Sequence, residues 1–241
     1  MGNFRNTEEL LAWVINFFAD EFGSNAIIRG GMALRLLNSP RYTNDIDYVF
    51  VPFKSKKEIM PLIEKKLASV SGLDFRITLN SKVMAVNINY LAQSCLLEIN
   101  VEENYESQAM SSSAITLQYG LPAKVVRIAE LSTAFAHKIA AWNERELLRD
   151  LFDVYQYKTI LRAEPNLETL QKRLVKPRGY PNVKPAKSLS ELKEKLVEAA
   201  NKLNEKDIDE LKPLLAEPEL AGLHLRIAAA VRETVGVWAC L

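Results

Sequence analysis

The sequence has few of the residues that hold disulfide-rich or zinc-binding proteins together. Among its 241 residues it has two cysteines, Cys95 and Cys240, which are too few for a disulfide framework. Its two histidines, His137 and His224, lie far apart along the chain, which argues against a histidine-cluster metal site. No apolar run approaches the ~18 residues of a membrane helix. The N-terminal residues also lack a basic segment followed by an apolar core, so we expect a soluble, cytoplasmic protein without a secretory signal.

Composition and periodicity predict an ordinary globular protein of the α+β class. The chain carries 31 basic and 30 acidic residues, and 48% of its residues are hydrophobic. Apolar residues in the first ~125 positions follow strand and helix periods in turn, whereas the rest of the chain follows the helical period almost throughout. The sequence therefore predicts an α+β domain over residues 1–125 and a helical domain over residues 126–241.

Individual elements follow from the same periodicities. Three strands in antiparallel hairpins are predicted within residues 73–101, because apolar and polar residues alternate there. The polar segment 102–113 is predicted to be a loop. The helices predicted in the second half span residues 128–142, 144–163, 167–175, 188–203 and 218–235.

The segment 28–49 carries the clearest functional pattern. A short apolar strand runs into Gly30 and Gly31, a helix follows, and the next strand carries Asp45 and Asp47. Side chains two positions apart on a strand share one face, so the two carboxylates should lie together. Such a pair repels unless a cation neutralises it, and magnesium binds one or two carboxylates plus substrate phosphates. Backbone N–H groups at the glycines could approach a phosphate closely.

This pattern predicts a nucleoside triphosphate held by the glycine loop and a metal ion. A tight turn followed by a solvated strand edge explains each half of the pattern separately, and that alternative stays open. Arg41, between the two halves, could contact a phosphate or simply cap the loop after Pro40.

Two blocks of the sequence resemble a known family. The string G-G-M-A-L followed by R-Y-T-N-D-I-D resembles the signature of the polymerase-β-like nucleotidyltransferase superfamily, and more closely that of the AbiEii/AbiGii-type toxin family. The block A-F-A-H-K-I-A-A-W-N-E-R-E-L-L-R-D-L-F-D-V-Y at 134–155 is similar to that family's lysine-bearing helix and the following Arg-Asp-x-x-Asp helix. The resemblance implies a nucleotidyltransferase-like mixed sheet with flanking helices, followed by a helical C-terminal domain.

The resemblance also implies roles for the residues of the first block. Gly30 and Gly31 would hold the triphosphate, and Asp45 and Asp47 would coordinate magnesium, with manganese as a possible substitute. Met32 departs from the family pattern, because Ser or Thr often stands at this position.

Three further residues are implied by the same resemblance. Lys138 would contact phosphate and Asp150 would complete the catalytic site. Glu98, which alternates with apolar neighbours on a predicted strand, is the candidate for the superfamily's third metal-binding carboxylate. A solvated strand face explains Glu98 equally well.

The function implied is that of a magnesium-dependent nucleotidyltransferase, the toxin of a toxin–antitoxin or abortive-infection system. It would transfer a nucleoside monophosphate from a nucleoside triphosphate to an acceptor such as the 3′ end of tRNA, and a cognate antitoxin would restrain it. Two alternatives remain: transfer to a protein or a small molecule, and a catalytically degenerate protein that binds nucleotide or RNA.

A basic segment at 172–187 belongs to neither block. It contains six Lys or Arg residues, three prolines and Tyr180, and no acidic residue. Such a segment could follow an RNA backbone with the tyrosine as a stacking face, or it could be a solvated loop.

Overall fold

A computed structural model describes residues 4–240, with the side chains described as far as Trp238. Cys240 therefore lies outside the described side chains. The chain divides into two compact units, the first ending at Ala129 and the second beginning at Glu130. Among the described residues, no helix is both long enough and apolar enough to cross a membrane.

The first unit is built on a seven-stranded mixed sheet in the order β3-β4-β5-β2-β1-β7-β6. Strands β1–β7 and β2–β5 pair in parallel, and the other neighbouring pairs are antiparallel. This mixed sheet with flanking helices confirms the predicted fold class. Its elements are α1 Thr7–Phe22, β1 Ala26–Arg29, α2 Gly30–Leu36, β2 Asp45–Phe50, α3 Lys56–Ala68, β3 Asp74–Leu79, β4 Met84–Tyr90, β5 Gln93–Val101, β6 Ser107–Ser111, α4 Ser113–Thr116 and β7 Val125–Ala129.

Helix α1 determines which face of the sheet is buried. The ring of Phe18 on α1 stacks on that of Tyr48 on β2, with centroids 5.1 Å apart, and both side chains are buried. Because neighbouring strand positions face opposite sides, Asp45 and Asp47 project from the face of β2 opposite Tyr48. Burial of the apolar side chains against α1 thus leaves the carboxylates on the other side.

The hairpins predicted within residues 73–101 are confirmed as β3, β4 and β5. The loop predicted over 102–113 is wrong, because β6 lies within it and pairs with β7. The five residues of β6, S-Q-A-M-S, form an edge strand and need no apolar alternation. The helix predicted from residue 128 begins later, since Ile128 belongs to β7 and pairs with Ile28.

The second unit is helical. It comprises α5 Leu131–Arg145, α6 Leu148–Tyr155, a π-helical turn Gln156–Ile160, α7 Leu167–Val175, α8 Leu189–Lys202, a 3₁₀ segment Glu205–Leu211, α9 Glu217–Leu220 and α10 Leu223–Gly236. The helix predicted over 167–175 is confirmed with those bounds. The helix predicted over 144–163 starts only at Leu148, after Glu146 takes a left-handed conformation with φ of 54°. The helix predicted over 218–235 is divided at Gly222, which has φ of 62°.

Candidate active site

The two glycines lie close against charged side chains. Gly30 has φ of +71°, and a Cβ atom there would come within 2.2 Å of Oδ2 of Asp47. A Cβ atom on Gly31 would come within 2.6 Å of Nη2 of Arg41. A carboxylate therefore packs against one glycine and a guanidinium against the next. The positive φ and this close approach favour glycine at position 30, whereas a Cβ atom at position 31 would require the Arg41 guanidinium to move.

The register of the sheet brings a second carboxylate beside Asp47. In the antiparallel pair β1–β2, Arg29 is the partner of Asp47, and in the parallel pair β2–β5 the partner is Glu98. Paired residues project from the same face, and neighbouring strands are about 4.8 Å apart. Asp45, Asp47 and Glu98 are all partly exposed. The structure thus places the three predicted carboxylates on one face of β2 and β5.

Arg29 adds a cation to this face, and the sequence interpretation missed it. With its amide oxygen turned toward β1, Asn100 accepts a hydrogen bond of 2.7 Å from the guanidinium of Arg29 and donates one of 2.9 Å to the carbonyl of Lys82. Since β2 lies between β1 and β5, the Arg29 side chain reaches across β2 to make this bond. Its position directly before the glycine pair is the signal that could have identified it.

The loop between α2 and β2 fixes the first aspartate. Thr43 is buried, and its hydroxyl donates a hydrogen bond to Oδ1 of Asp45. The Thr43 carbonyl in turn accepts a 3.4 Å hydrogen bond from Arg35. Arg41 is only 7% exposed and lies against the backbone of Gly31. Met32 is buried in the core of the unit, so its side chain does not line this face.

The chemistry of these side chains fits magnesium. Across residues 4–240, no group of three or more His, Cys, Asp or Glu side chains has the arrangement of a metal site. Magnesium is nevertheless bound in many sites by only one or two carboxylates together with substrate phosphates. Asp45 and Asp47 provide such a pair beside the glycines. The ligand role predicted for Glu98 stays a prediction.

In the second unit, Lys138 is bound to a buried acid. Its Nζ lies 2.5 Å from Oδ2 of Asp153, whose side chain is fully buried, while Lys138 is 12% exposed. Asp153 is the second acid of the Arg-Asp-x-x-Asp pattern, to which the resemblance gave no role. It is buried on α6, and its ion pair with Lys138 joins α6 to α5. The i, i+15 separation of Lys138 and Asp153 gives no local signal of this contact.

Asp150 forms a second ion pair between the same helices. Both of its carboxylate oxygens accept hydrogen bonds from the guanidinium of Arg145, at 2.6 and 2.7 Å, and the Asp150 side chain is fully buried. Burial alone would lower the pKa of Arg145, but the hydrogen bonds and charge of Asp150 outweigh it and raise that pKa. Asp150 thus fixes Arg145, a residue that the sequence interpretation did not place in the site.

Comparisons with known proteins point to one family. A family model described as the nucleotidyl transferase AbiEii toxin of type IV toxin–antitoxin systems matches residues 13–235. The solved structure of JHP933 from Helicobacter pylori is similar, with a TM-score of 0.53, 14% identity, and coverage of 95% of this chain and 90% of that chain. A second H. pylori protein, described as a candidate nucleotidyltransferase, gives a TM-score of 0.51, 14% identity, and coverage of 95% and 93%.

At such low identity the two structures show a shared fold. No curated protein matches the chain.

Proposed function

The chain belongs to the AbiEii nucleotidyltransferase toxin family, and we propose that it uses magnesium to transfer a nucleoside monophosphate to the 3′ end of an RNA such as tRNA. The family supports both nucleotidyl transfer and a role as the toxin of a type IV toxin–antitoxin system. The observation that carries the proposal is the packing of Asp47 against Gly30, with Asp45 on the same face of the strand. Such an arrangement suits a metal-bound triphosphate.

In this proposal, Asp45 and Asp47 would hold magnesium as a pair, and Glu98, the partner of Asp47 on β5, would be the candidate for a third ligand. The metal would supply positive charge to the triphosphate as the bond to the leaving group breaks. Thr43 orients Asp45 through its hydroxyl, and Gly30 leaves Asp47 the space that its carboxylate occupies. Manganese, which accepts the same oxygen ligands, would replace magnesium.

The remaining residues act on phosphate. Backbone N–H groups of Gly30 and Gly31 and the guanidinium of Arg41 would hold triphosphate oxygens. Lys138 would donate to a phosphate, with Asp153 positioning its ammonium group. Asp150 would act by holding Arg145. An acceptor hydroxyl oxygen would then lose its proton to solvent and bond to the α-phosphorus, while the bond to the pyrophosphate leaving group breaks.

The biological setting forms part of the same proposal. A type IV system pairs the toxin with an antitoxin, so we propose a cognate antitoxin as partner and the cytoplasm as the site of action. Transfer to a protein or a small molecule would use the same residues with another acceptor. A degenerate protein would bind nucleotide without turnover.

A labelling experiment tests the proposal. Purified protein is incubated with each α-labelled nucleoside triphosphate, magnesium and total cellular RNA, beside the variant Asp45→Ala/Asp47→Ala. Label in a discrete RNA band with wild type alone is the expected result. Label on protein would move the acceptor to the second alternative, and absence of label with both magnesium and manganese would contradict nucleotidyl transfer.

A further inference from the structure

Residues 176–187 of the basic segment form a loop held by the last turn of α5, whereas residues 172–175 belong to α7. It runs from Lys176, just after α7, to Lys187, just before Ser188 caps α8. The anchoring residues, Asn143 and Glu144, lie on the same helix as Lys138, so the loop is attached about one and a half turns along from that lysine.

Asn143 fixes the end of this loop. Its side chain is fully buried, donates a 2.9 Å hydrogen bond to the carbonyl of Ala186, and accepts one of 2.8 Å from the Ala186 N–H. Lys195 reinforces the contact by donating to the carbonyls of Asn143 and Lys184, at 3.3 and 3.0 Å. These bonds engage the loop's backbone and leave its basic side chains exposed.

Glu144 fixes the beginning of the loop. Its side chain is only 5% exposed, and Oε1 accepts hydrogen bonds from the guanidinium of Arg173 at 2.7 Å and from the backbone N–H of Arg178 at 3.0 Å. Because a buried polar group left without partners destabilises a fold, these hydrogen bonds hold the loop to α5.

The loop presents mainly positive charge. The side chains of Lys176, Arg178, Lys184 and Lys187 are exposed, and across the described residues none of them has an ion-pair partner among the salt bridges. Tyr180 lies between them, 44% exposed, and close enough to Arg145 for the two groups to interact electrostatically. The anchored loop thus combines four available cations with an exposed aromatic ring.

We propose that the loop 176–187 is a docking surface for single-stranded nucleic acid, which binds its phosphates through the four cations and stacks a base on Tyr180. This inference rests on the proposed function, because it assigns the surface that binds the acceptor strand. An acidic protein surface would also match the charge. The exposed tyrosine favours a single-stranded polynucleotide, because the unpaired bases of such a strand offer free faces that stack on an aromatic ring. Anchoring before binding reduces the entropy lost when the strand docks.

The test measures binding without catalysis. Fluorescence anisotropy follows a labelled single-stranded RNA of about 12 nucleotides, a length within the range of known single-strand sites, added to the full chain with EDTA and no nucleotide. The loop variant is Lys176→Gln/Arg178→Gln/Lys184→Gln/Lys187→Gln. The matched control, Lys54→Gln/Lys57→Gln/Lys65→Gln/Lys206→Gln, removes the same charge from other exposed positions.

We expect the loop variant to bind about 100-fold more weakly at 0.1 M salt, with a shallower salt dependence, since each lost phosphate contact lowers the log–log slope by about 0.7. The control should stay within about threefold of wild type. Tyr180→Leu should weaken binding about tenfold and Tyr180→Phe should not, because phenylalanine keeps the stacking face. Lysine-to-arginine changes at 176, 184 and 187 should preserve binding.

Equal binding by the loop and control variants would overturn the proposal, as would an absence of RNA binding by wild type. Poly-glutamate, an acidic polypeptide, serves as a second ligand in the same assay. If the loop variant lost poly-glutamate binding but kept RNA binding, the loop would be a protein-docking surface instead. RNA binding that depends on the loop, in a protein that transfers no label, would contradict the proposed function but leave this surface intact. Thermal melting of each variant verifies that it is folded.

Discussion

The two units hold their predicted site residues in opposite ways. In the first unit, Asp45, Asp47 and Glu98 share a partly exposed strand face beside two glycines. In the second unit, the fully buried Asp150 is bound to Arg145, and Lys138 is bound to Asp153, a fully buried acid that the prediction did not include. Both sets belong to sequence blocks that resemble the same family.

The difference separates residues that can contact a ligand from residues that act through a neighbour. A partly exposed carboxylate can exchange bound water for a metal ion at little cost. A fully buried carboxylate that already receives two hydrogen bonds cannot do so without leaving Arg145 unpaired. We therefore interpret Asp47 as a group that acts on the nucleotide and Asp150 as a positioning residue.

The largest effect should follow from Asp47→Asn. Loss of one ligand charge should lower nucleotidyl transfer at least about 1,000-fold, since bound metal contributes several kcal/mol to charge stabilisation in the transition state. Thermal stability should change little, because Asp47 is partly exposed. Asp74→Asn, at an exposed strand position, provides the control and should retain activity. If Asp47→Asn transferred nucleotide at the wild-type rate, the carboxylates of the first unit would have no role in the reaction.

The second effect tests the ion pair of Arg145 with Asp150 between α5 and α6. Asp150→Ala should lower the free energy of unfolding by about 3 kcal/mol, because it leaves the guanidinium of Arg145 without its partner. The double variant Arg145→Met/Asp150→Ala should be more stable than Asp150→Ala alone, since no charge is then stranded. Urea unfolding of the three proteins measures both values. Equal stability of the single and double variants would argue against a stabilising role for this ion pair.

A third effect separates backbone strain from loss of the site. Gly30→Ala should reduce transfer about 100-fold, because its methyl group would displace the carboxylate of Asp47. Gly120→Ala is a matched control, since Gly120 has φ of +70° but no atom within 4 Å of a Cβ position. Both variants should lose about 1–2 kcal/mol of stability from the left-handed conformation. If the two variants lose transfer equally, the close approach to Asp47 does not matter.

The smallest effect concerns the N-terminus of α5. The side chain of Glu130 accepts hydrogen bonds from the Ser132 hydroxyl and, at 3.0 Å, from the Thr133 N–H. Burial would raise the pKa of Glu130, but these bonds outweigh it and lower that pKa. The carboxylate's contribution is therefore present above the unfolded value of 4.5 and is lost as the pH falls through the lower folded value.

Glu130→Gln should accordingly lose about 1 kcal/mol at pH 7, the usual worth of a helix cap. The difference from wild type should shrink below about pH 4.5 as the carboxylate becomes protonated. Thermal melts across that range measure it. A difference that stays constant down to low pH would show that the charge of Glu130 contributes nothing.

Local sequence patterns predicted much of the first unit. Alternation of apolar and polar residues identified β3, β4 and β5. The glycines after one strand and the aspartates on the next identified β1, α2 and β2, because one short helix lies between those two strands. The short polar strand β6 escaped prediction, since its pairing with β7 depends on residues distant in sequence.

Contacts set by tertiary packing could not be predicted in this way. The register of β2 with β5 places Glu98 beside Asp47, and no local period specifies that register. The same holds for the bond between Arg29 and Asn100 and for the choice of Asp153 as the partner of Lys138. In each case the sequence showed a charged residue, whereas packing determined its partner.

Metal binding tests the contrast between the units most directly. Isothermal titration of Mn²⁺ in the presence of a non-hydrolysable nucleoside triphosphate would compare wild type, Asp47→Asn and Asp150→Asn, each below its melting temperature. We predict that Asp47→Asn loses the metal-dependent binding and that Asp150→Asn binds as wild type does. Undiminished binding by Asp47→Asn, or an equal loss in Asp150→Asn, would contradict the distinction between a ligand-binding and a positioning carboxylate.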